Sequence, residues 1–265
     1  MTYANFLLFF LGIPILLAAL VTWWDTKHRK TLPVVLSSLP AWLPVLILVL
    51  LAVTYTTPWD NYLVASGVWY YNPKLVSGIK IGWVPIEEYT FFILQTILTG
   101  LWALFLGKRI ANQAPLEEKP GMRRNISLLL GAIWLFFVAV LLSGWKPGTY
   151  LSLILVWALP PIMLQLAFGA DILWHQRRLV GIALLAVTLY LGLTDSLAIG
   201  AGTWTIAPRQ SLNIFLGGVL PVEEFFFFLV TNTLIVFGMV LALAQESRQR
   251  AHLLFRILSP RSNTA

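Results

Sequence analysis

Eleven residues of this chain occur twice in closely similar form. Gly82-Trp83-Val84-Pro85-Ile86-Glu87-Glu88-Tyr89-Thr90-Phe91-Phe92 returns as Gly218-Val219-Leu220-Pro221-Val222-Glu223-Glu224-Phe225-Phe226-Phe227-Phe228. Each copy places two adjacent carboxyls at the mouth of a long apolar run, where ionisable groups are costly and serve a purpose. Adjacent carboxyls compete for charge and titrate as a coupled pair. Such a pair can offer an acid and a base at one spot, which is the equipment for moving a proton on and off a substrate. Glu87, Glu88, Glu223 and Glu224 are therefore the candidate catalytic residues.

The elements that must carry these groups are helices. Pro85 and Pro221 suit a helix start, where the missing N–H costs nothing, and the glutamates then sit near the positive end of the helix dipole. Helical spacing puts Glu88, Gln95 and Thr96 on one stripe, and Glu224, Thr231 and Asn232 on its counterpart. Polar groups avoid lipid, so both stripes are expected to face a bundle interior. Gln95, Thr231 and Asn232 are candidate supports for the site. Phe91, Phe92, Phe227 and Phe228 follow on the next turn and are candidates for holding an apolar substrate or a cationic intermediate. A Glu after a proline can also be no more than a cap. The duplication, with polar stripes behind both pairs, argues for more.

Hydrophobic residues make up 58% of the 265 residues and charged residues 11%. Soluble domains hold about a quarter charged residues, so the expected class is an all-α integral membrane protein. Seven apolar stretches reach the roughly 17–25 residues a crossing helix needs: Tyr3–Trp23, Pro33–Tyr55, Val84–Leu106, Ile126–Ser143, Thr149–Ala167, Leu179–Ile199 and Phe215–Leu243. The net charge of +7 is unevenly placed. Fourteen of the Lys and Arg residues fall in the first, third and fifth loops and the C-terminal tail. Only Lys74, Lys80, Lys146 and Arg209 fall on the other side. The positive-inside rule then predicts a multi-pass protein of the cell membrane, N-terminus outside and C-terminus cytoplasmic. The charge orients a bundle in the lipid bilayer; it is not a nucleic-acid patch. The first stretch reads as a retained span. The tail from Gln245 to Leu258 reads as a basic segment along the inner membrane surface, with a frayed end beyond Pro260. With no cysteine, disulfides and thiolate metal sites are excluded, and no metal site is expected.

The repeat reaches beyond the glutamates. Asp60, Gly67, Trp69 and Pro73-Lys74 match Asp195, Gly202, Trp204 and Pro208-Arg209 at one offset, and Tyr3, Pro14 and His28 match Tyr150, Pro161 and His175 at another. Residues 1–110 are thus expected to form a first three-helix repeat, 111–147 a loop and linking helix, 148–244 a second three-helix repeat, and 245–265 the basic tail. An extra crossing between two three-helix units restores their common direction and makes the repeats parallel. Both Glu pairs then lie toward the outer end, with Asp60 and Asp195 in the same layer as candidate supports. His28 and His175 fall on the basic side and read as solvated.

At these residues the chain resembles the integral-membrane lycopene cyclases of the heterodimeric type found in bacteria, in the fused single-chain form also known in archaea and fungi. In that family Pro-x-Glu-Glu, or Pro-x-Glu-Asp in some copies, opens the third helix of each domain, and the likeness covers nearly the whole chain. It implies a redox-neutral carotenoid cyclase, an intramolecular lyase or isomerase. The acyclic ends of lycopene or a related carotenoid would be closed to β-ionone rings through a carbocation, with the four glutamates as acids and bases. It implies no cofactor: the flavin of the unrelated soluble cyclases is not expected, and the chain has no Gly-x-Gly-x-x-Gly. Other carotenoid-pathway enzymes are conceivable neighbours. Two alternatives stand beside this reading. A parallel-repeat facilitator for a small molecule would use the carboxylates to couple protons, but needs polar residues along several helices. A retinal photoreceptor needs a lysine within a span, and every lysine here falls in or beside a loop.

Overall fold

The computed structural model describes residues 1–258; the end of the basic tail, 259–265, lies outside the described residues. Seven helices are long and apolar enough to cross a membrane. They are α1 (Tyr3–Lys27), α2 (Trp42–Ala65), α3 (Ile86–Ile110), α4 (Pro120–Leu142), α5 (Thr149–His175), α6 (Arg177–Gly200) and α7 (Val222–Leu243). A further helix, α8 (Gln245–Leu258), follows the last of them.

The helices α3 and α7 form the centre. They pack on each other, and between them they touch α1, α2, α5 and α6. Their buried faces carry the polar stripes, which in lipid must find partners inside the bundle. By contrast α4 buries no residue fully: it packs one face on α5 and leaves the other for lipid.

Several boundaries depart from the expectation, among them the end of α5 at His175 in place of Ala167 and the start of α4 at Pro120 in place of Ile126. The second helix runs over Trp42–Ala65, not Pro33–Tyr55. Residues before it form a short 3₁₀ turn, Val34–Leu36, and the Ser38 N–H bonds the Leu243 carbonyl at 3.0 Å. At its far end the polar run from Thr54 to Asn61 stays helical, since Thr54 and Thr57 hydroxyls donate back to the carbonyls of Leu50 and Val53. The seventh helix starts at Val222, not Phe215, because Gly217 and Gly218 take φ of +59° and +75° and turn the chain into a hairpin. The polar residues Thr194 and Asp195 stay within a continuous sixth helix, and both are buried, facing the bundle.

The loops before α3 and α7 are built alike. Strands β2 (Lys80–Ile81) and β3 (Val84–Pro85) make one hairpin, and β5 (Phe215–Leu216) and β6 (Leu220–Pro221) the other. Pro85 and Pro221 are the extended residues that cap the two helices, one position earlier than the first turn. Gly82, at φ +66°, lies so close to Asn61 that a Cβ there would meet its Oδ1 at 2.2 Å; that oxygen accepts the Trp83 N–H at 2.8 Å. A third pair joins the two halves of the chain. Strand β1 (Trp69–Tyr71) runs antiparallel to β4 (Trp204–Ile206), with Tyr70 opposite Thr205 at its centre.

At the opposite end of the bundle, acids meet bases. Arg109 grips Asp25 through two N–H donors at 2.8 and 2.9 Å. Helix α8 does not simply rest on lipid. It packs on α5, α7 and the Val34–Leu36 turn, and its Arg250 reaches both Asp171 oxygens at 2.9 Å. A kink at Gly169 (φ −150°, ψ 33°) interrupts α5 here, and Arg250 also takes the Phe168 carbonyl. His28 and His175 bond the carbonyls of Trp24 and Ala114 on this side.

Candidate active site

Because α3 and α7 start side by side, their two Glu pairs come to one end of the molecule, and the pairs divide in the same way. Glu88 and Glu224 turn inward and line a single pocket. Glu87 and Glu223 turn toward the loops, where Glu87 Oε1 accepts the Ser77 N–H at 2.5 Å and Glu223 Oε1 accepts the Leu212 N–H at 2.6 Å. Each outer glutamate thereby ties down the segment leading into its own hairpin. All four are buried.

The inward pair is held by tyrosines. Tyr3, at the start of α1, donates to Glu88 Oε2 at 2.6 Å, and Tyr150, at the start of α5, donates to Glu224 Oε1 at 2.6 Å. Tyr71 adds a second bond to Glu88 Oε2 at 2.9 Å and itself accepts the Trp69 indole N–H at 3.1 Å. Burial, with the charges of Asp60 and Glu88 behind it, pushes the Tyr71 hydroxyl well above the ordinary tyrosine range, so at neutral pH it stays a donor. Sequence reasoning missed these three tyrosines. Tyr3 and Tyr150 were visible as a matched pair in the repeat, but a tyrosine near a span end usually reports the membrane interface.

The acids of the next layer sit close by. Asp195 lines the pocket and accepts the Trp204 indole N–H at 3.1 Å. Asp60 is fully buried within electrostatic reach of Glu88, and neither of its oxygens has a partner among the described residues. Among the described residues no lysine or arginine forms an ion pair with any of these six acids, although other buried acids have such pairs.

The remaining candidates separate by depth. Phe91, Phe227 and Phe228 line the carboxylate pocket, with Phe91 edge-on to Phe228 at 6.3 Å between ring centres. Phe92 faces a neighbouring apolar groove. Gln95, Thr231 and Asn232 are not at the glutamates. They form a hydrogen-bond relay deeper in the bundle: Gln95 donates to Thr231 at 3.0 Å and to Asn232 at 3.3 Å, and Asn232 donates to Thr188 at 3.2 Å. Thr99 completes it by donating to Asn232 at 3.0 Å. This relay locks α3, α6 and α7 together.

A helical membrane protein with carboxyl groups buried in an aromatic pocket is thus defined by fold and site alone. The comparisons identify the class further. The lycopene cyclase family profile matches residues 38–106 and 147–242, so the chain belongs to the lycopene cyclase family, whose members are intramolecular lyases among the isomerases. It is similar to a lycopene beta-cyclase of Halobacterium salinarum, 41% identical over 196 residues that cover 74% of this chain and 80% of that protein. It is also similar to bifunctional lycopene cyclase/phytoene synthases of Podospora anserina (38% over 200 residues, 72% of this chain and 34% of the relative) and Aspergillus niger (39% over 201 residues, 73% and 34%). No solved structure matches the chain significantly.

Proposed function

We propose that this protein closes the acyclic ends of lycopene, or a closely related acyclic carotenoid, to β-ionone rings in carotenoid biosynthesis. The observation that carries this reading is the meeting of Glu88 and Glu224 in one aromatic pocket, each held by tyrosine hydroxyls and neither paired with a cation. One of the two carboxyls gives its proton to the terminal double bond of the substrate, leaving a tertiary carbocation. A second double bond of the chain attacks that centre, a ring bond forms, and the positive charge moves onto the ring. The other glutamate, as carboxylate, then removes a ring proton and restores a double bond. One proton enters and one leaves, so the product is an isomer and no oxidant or reductant is needed.

The surroundings suit each step. Water would capture the carbocation as an alcohol, and the pocket lies among buried aromatic side chains. Faces of Phe91, Phe227, Phe228 and Trp204 can stabilise passing positive charge by about 0.5–2 kcal/mol each. Tyr3, Tyr71 and Tyr150 orient the two working carboxyls. Glu87 and Glu223, bonded to loop amides, are positioning residues that hold the hairpins over the pocket.

The same reading includes the architecture. Residues 1–110 and 148–244 are two parallel three-helix repeats joined by a linking helix within 111–147, as in the fused form of the heterodimeric-type cyclases. The alike hairpins, the alike Glu–Tyr bonds and the β1–β4 pairing support it. The basic end, with Arg109 and Arg250, lies on the cytoplasmic side and the carboxylate layer toward the outside. Family membership favours this enzyme over a proton-coupled facilitator. The test is pigment analysis in a bacterial host that accumulates lycopene. Conversion to monocyclic or bicyclic carotene with β-rings is expected; unchanged lycopene beside well-inserted protein would overturn the proposal.

A further inference from the structure

Two apolar grooves open on the flanks of the bundle, at positions that match under the repeat. One lies among α2, α3, α5 and α7, and includes Ala52, Tyr55, Pro161 and Gln165. Its counterpart lies among α1, α3 and α6, where Val187, Tyr190, Pro14 and Ala18 occupy the equivalent positions. The correspondence extends to single bonds: Tyr55 donates to the Trp157 carbonyl at 2.8 Å, and Tyr190 to the Phe10 carbonyl at 2.8 Å.

The grooves nonetheless differ in what they reach. Phe227 lines both the first groove and the carboxylate pocket, whereas the second groove and that pocket have no lining residue in common. From Phe227 a row of nearly parallel rings leads outward. Trp59 stacks on Phe227 (5.9 Å, 4° between planes), Trp157 on Trp59 (4.4 Å, 18°) and Tyr55 on Trp157 (5.4 Å, 21°). Their polar tips are already occupied, Trp59 by the Leu153 carbonyl at 3.1 Å and Tyr55 by that of Trp157, which fixes the ring planes. Tyr55 at the far end is exposed on the membrane-facing surface. In the second groove Thr194 stands where Trp59 does, and the rings that lead from the pocket on that side, Phe91, Phe6 and Phe10, are tilted by 38° and 52° instead of stacked.

We infer that the α2–α5 groove is the binding site for the body of a long, flat polyene, which enters sideways from the bilayer and lies along the Tyr55–Trp157–Trp59–Phe227 row with one end at Glu88 and Glu224. This rests on the reading of the carboxylate pocket as a carotenoid cyclase site and names where the rest of that substrate lies. A flat conjugated chain lying along such a stack meets the ring edges, whose partial positive charge packs edge-to-face against its π cloud. Because, of the two grooves, this one alone shares a lining residue with the pocket, a substrate with two ends is processed one end at a time and must leave and return reversed for the second ring.

The test compares matched tryptophans in the two grooves of the full-length protein. Ala52→Trp fills the first groove and Ala18→Trp the second. Expected is a loss of about tenfold or more in kcat/KM on lycopene for Ala52→Trp, mostly in KM, with Ala18→Trp within about twofold of the parent. Trp59→Thr, which installs the side chain of the other groove, should also raise KM and serves should Ala52→Trp fail to insert. Full activity in Ala52→Trp and Trp59→Thr, or an equal loss in Ala18→Trp, overturns the inference. A binding readout separates it from the reaction itself: lycopene retained per protein by the purified Glu88→Gln/Glu224→Gln variant, with and without Ala52→Trp. Retention abolished by Ala52→Trp supports the groove even if the parent forms no rings. Retention unchanged, with the parent cyclising normally, removes the groove and leaves the reaction standing.

Discussion

The two ends of the bundle use the same residue types to opposite purposes. At the basic end Asp25 and Asp171 are buried, and each is gripped by an arginine through two N–H donors at 2.8–2.9 Å. Lys108 and Arg123 stand a little farther off, each at 3.6 Å. At the other end Glu88 and Glu224 are equally buried but meet only tyrosine hydroxyls. A bidentate arginine fixes a carboxylate as an anion and makes it part of the scaffold. Hydroxyl donors orient a carboxyl without pinning its charge, so a proton can still come and go. Burial alone therefore does not set how a carboxyl is held; the partner does, and it differs between the two ends.

That contrast can be broken from either side. The largest effect is expected at the inward pair: Glu88→Gln and Glu224→Gln should each lower cyclisation by about 10³-fold, with insertion and thermal stability in detergent retained. A loss of stability with turnover intact would reverse the assignment of the two ends. Next, Arg250→Met leaves Asp171 buried without its main partner and should destabilise the protein by about 3 kcal/mol in a thermal-unfolding assay, while the folded fraction cyclises at the parent rate. Tyr3→Phe and Tyr150→Phe remove one hydroxyl each from the working carboxyls. They should cost roughly 10–100-fold in kcat, in line with about 1.5–3 kcal/mol for a hydrogen bond to a charged group. Smallest are Glu87→Gln and Glu223→Gln. An amide oxygen can still accept the Ser77 or Leu212 N–H, so activity should stay within about threefold; a loss like that of Glu88→Gln would make the outer pair catalytic as well.

The glutamates were legible because an acid at the mouth of an apolar run is rare and its repetition rarer. Their inward members were legible too, since Glu88 and Glu224 share helical stripes with Gln95, Thr96 and Asn232, all of them buried, and with the half-buried Thr231. Their partners were not. Tyr3 precedes Glu88 by 85 residues and Tyr150 precedes Glu224 by 74, and no local pattern encodes such contacts. Tyr71 lies in a short strand within a loop that composition leaves featureless. The span ends were misplaced for a related reason. A hydropathy run ends where polar residues begin, yet Thr54 and Thr57 satisfy themselves on their own helix, and Asp60 continues it into the site. Arg250 read as one more positive charge of the tail, because its partner Asp171 lies 79 residues away across the kink in α5.

The crossing of β1 and β4 also sets how the halves depend on each other. Through it Trp204 of the second half packs on Tyr3 at 4.9 Å, and Trp69 of the first half packs on Tyr150 at 5.4 Å. Each glutamate is thus oriented by a tyrosine of its own half, and that tyrosine is braced by a tryptophan of the other. A change at Trp204 is felt at Glu88 through Tyr3, whereas a change at Trp69 is felt at both glutamates, at Glu224 through Tyr150 and at Glu88 through its own bond to Tyr71. The brace is therefore lopsided: loosening Trp204 disturbs the carboxyl of the other half, while loosening Trp69 disturbs both.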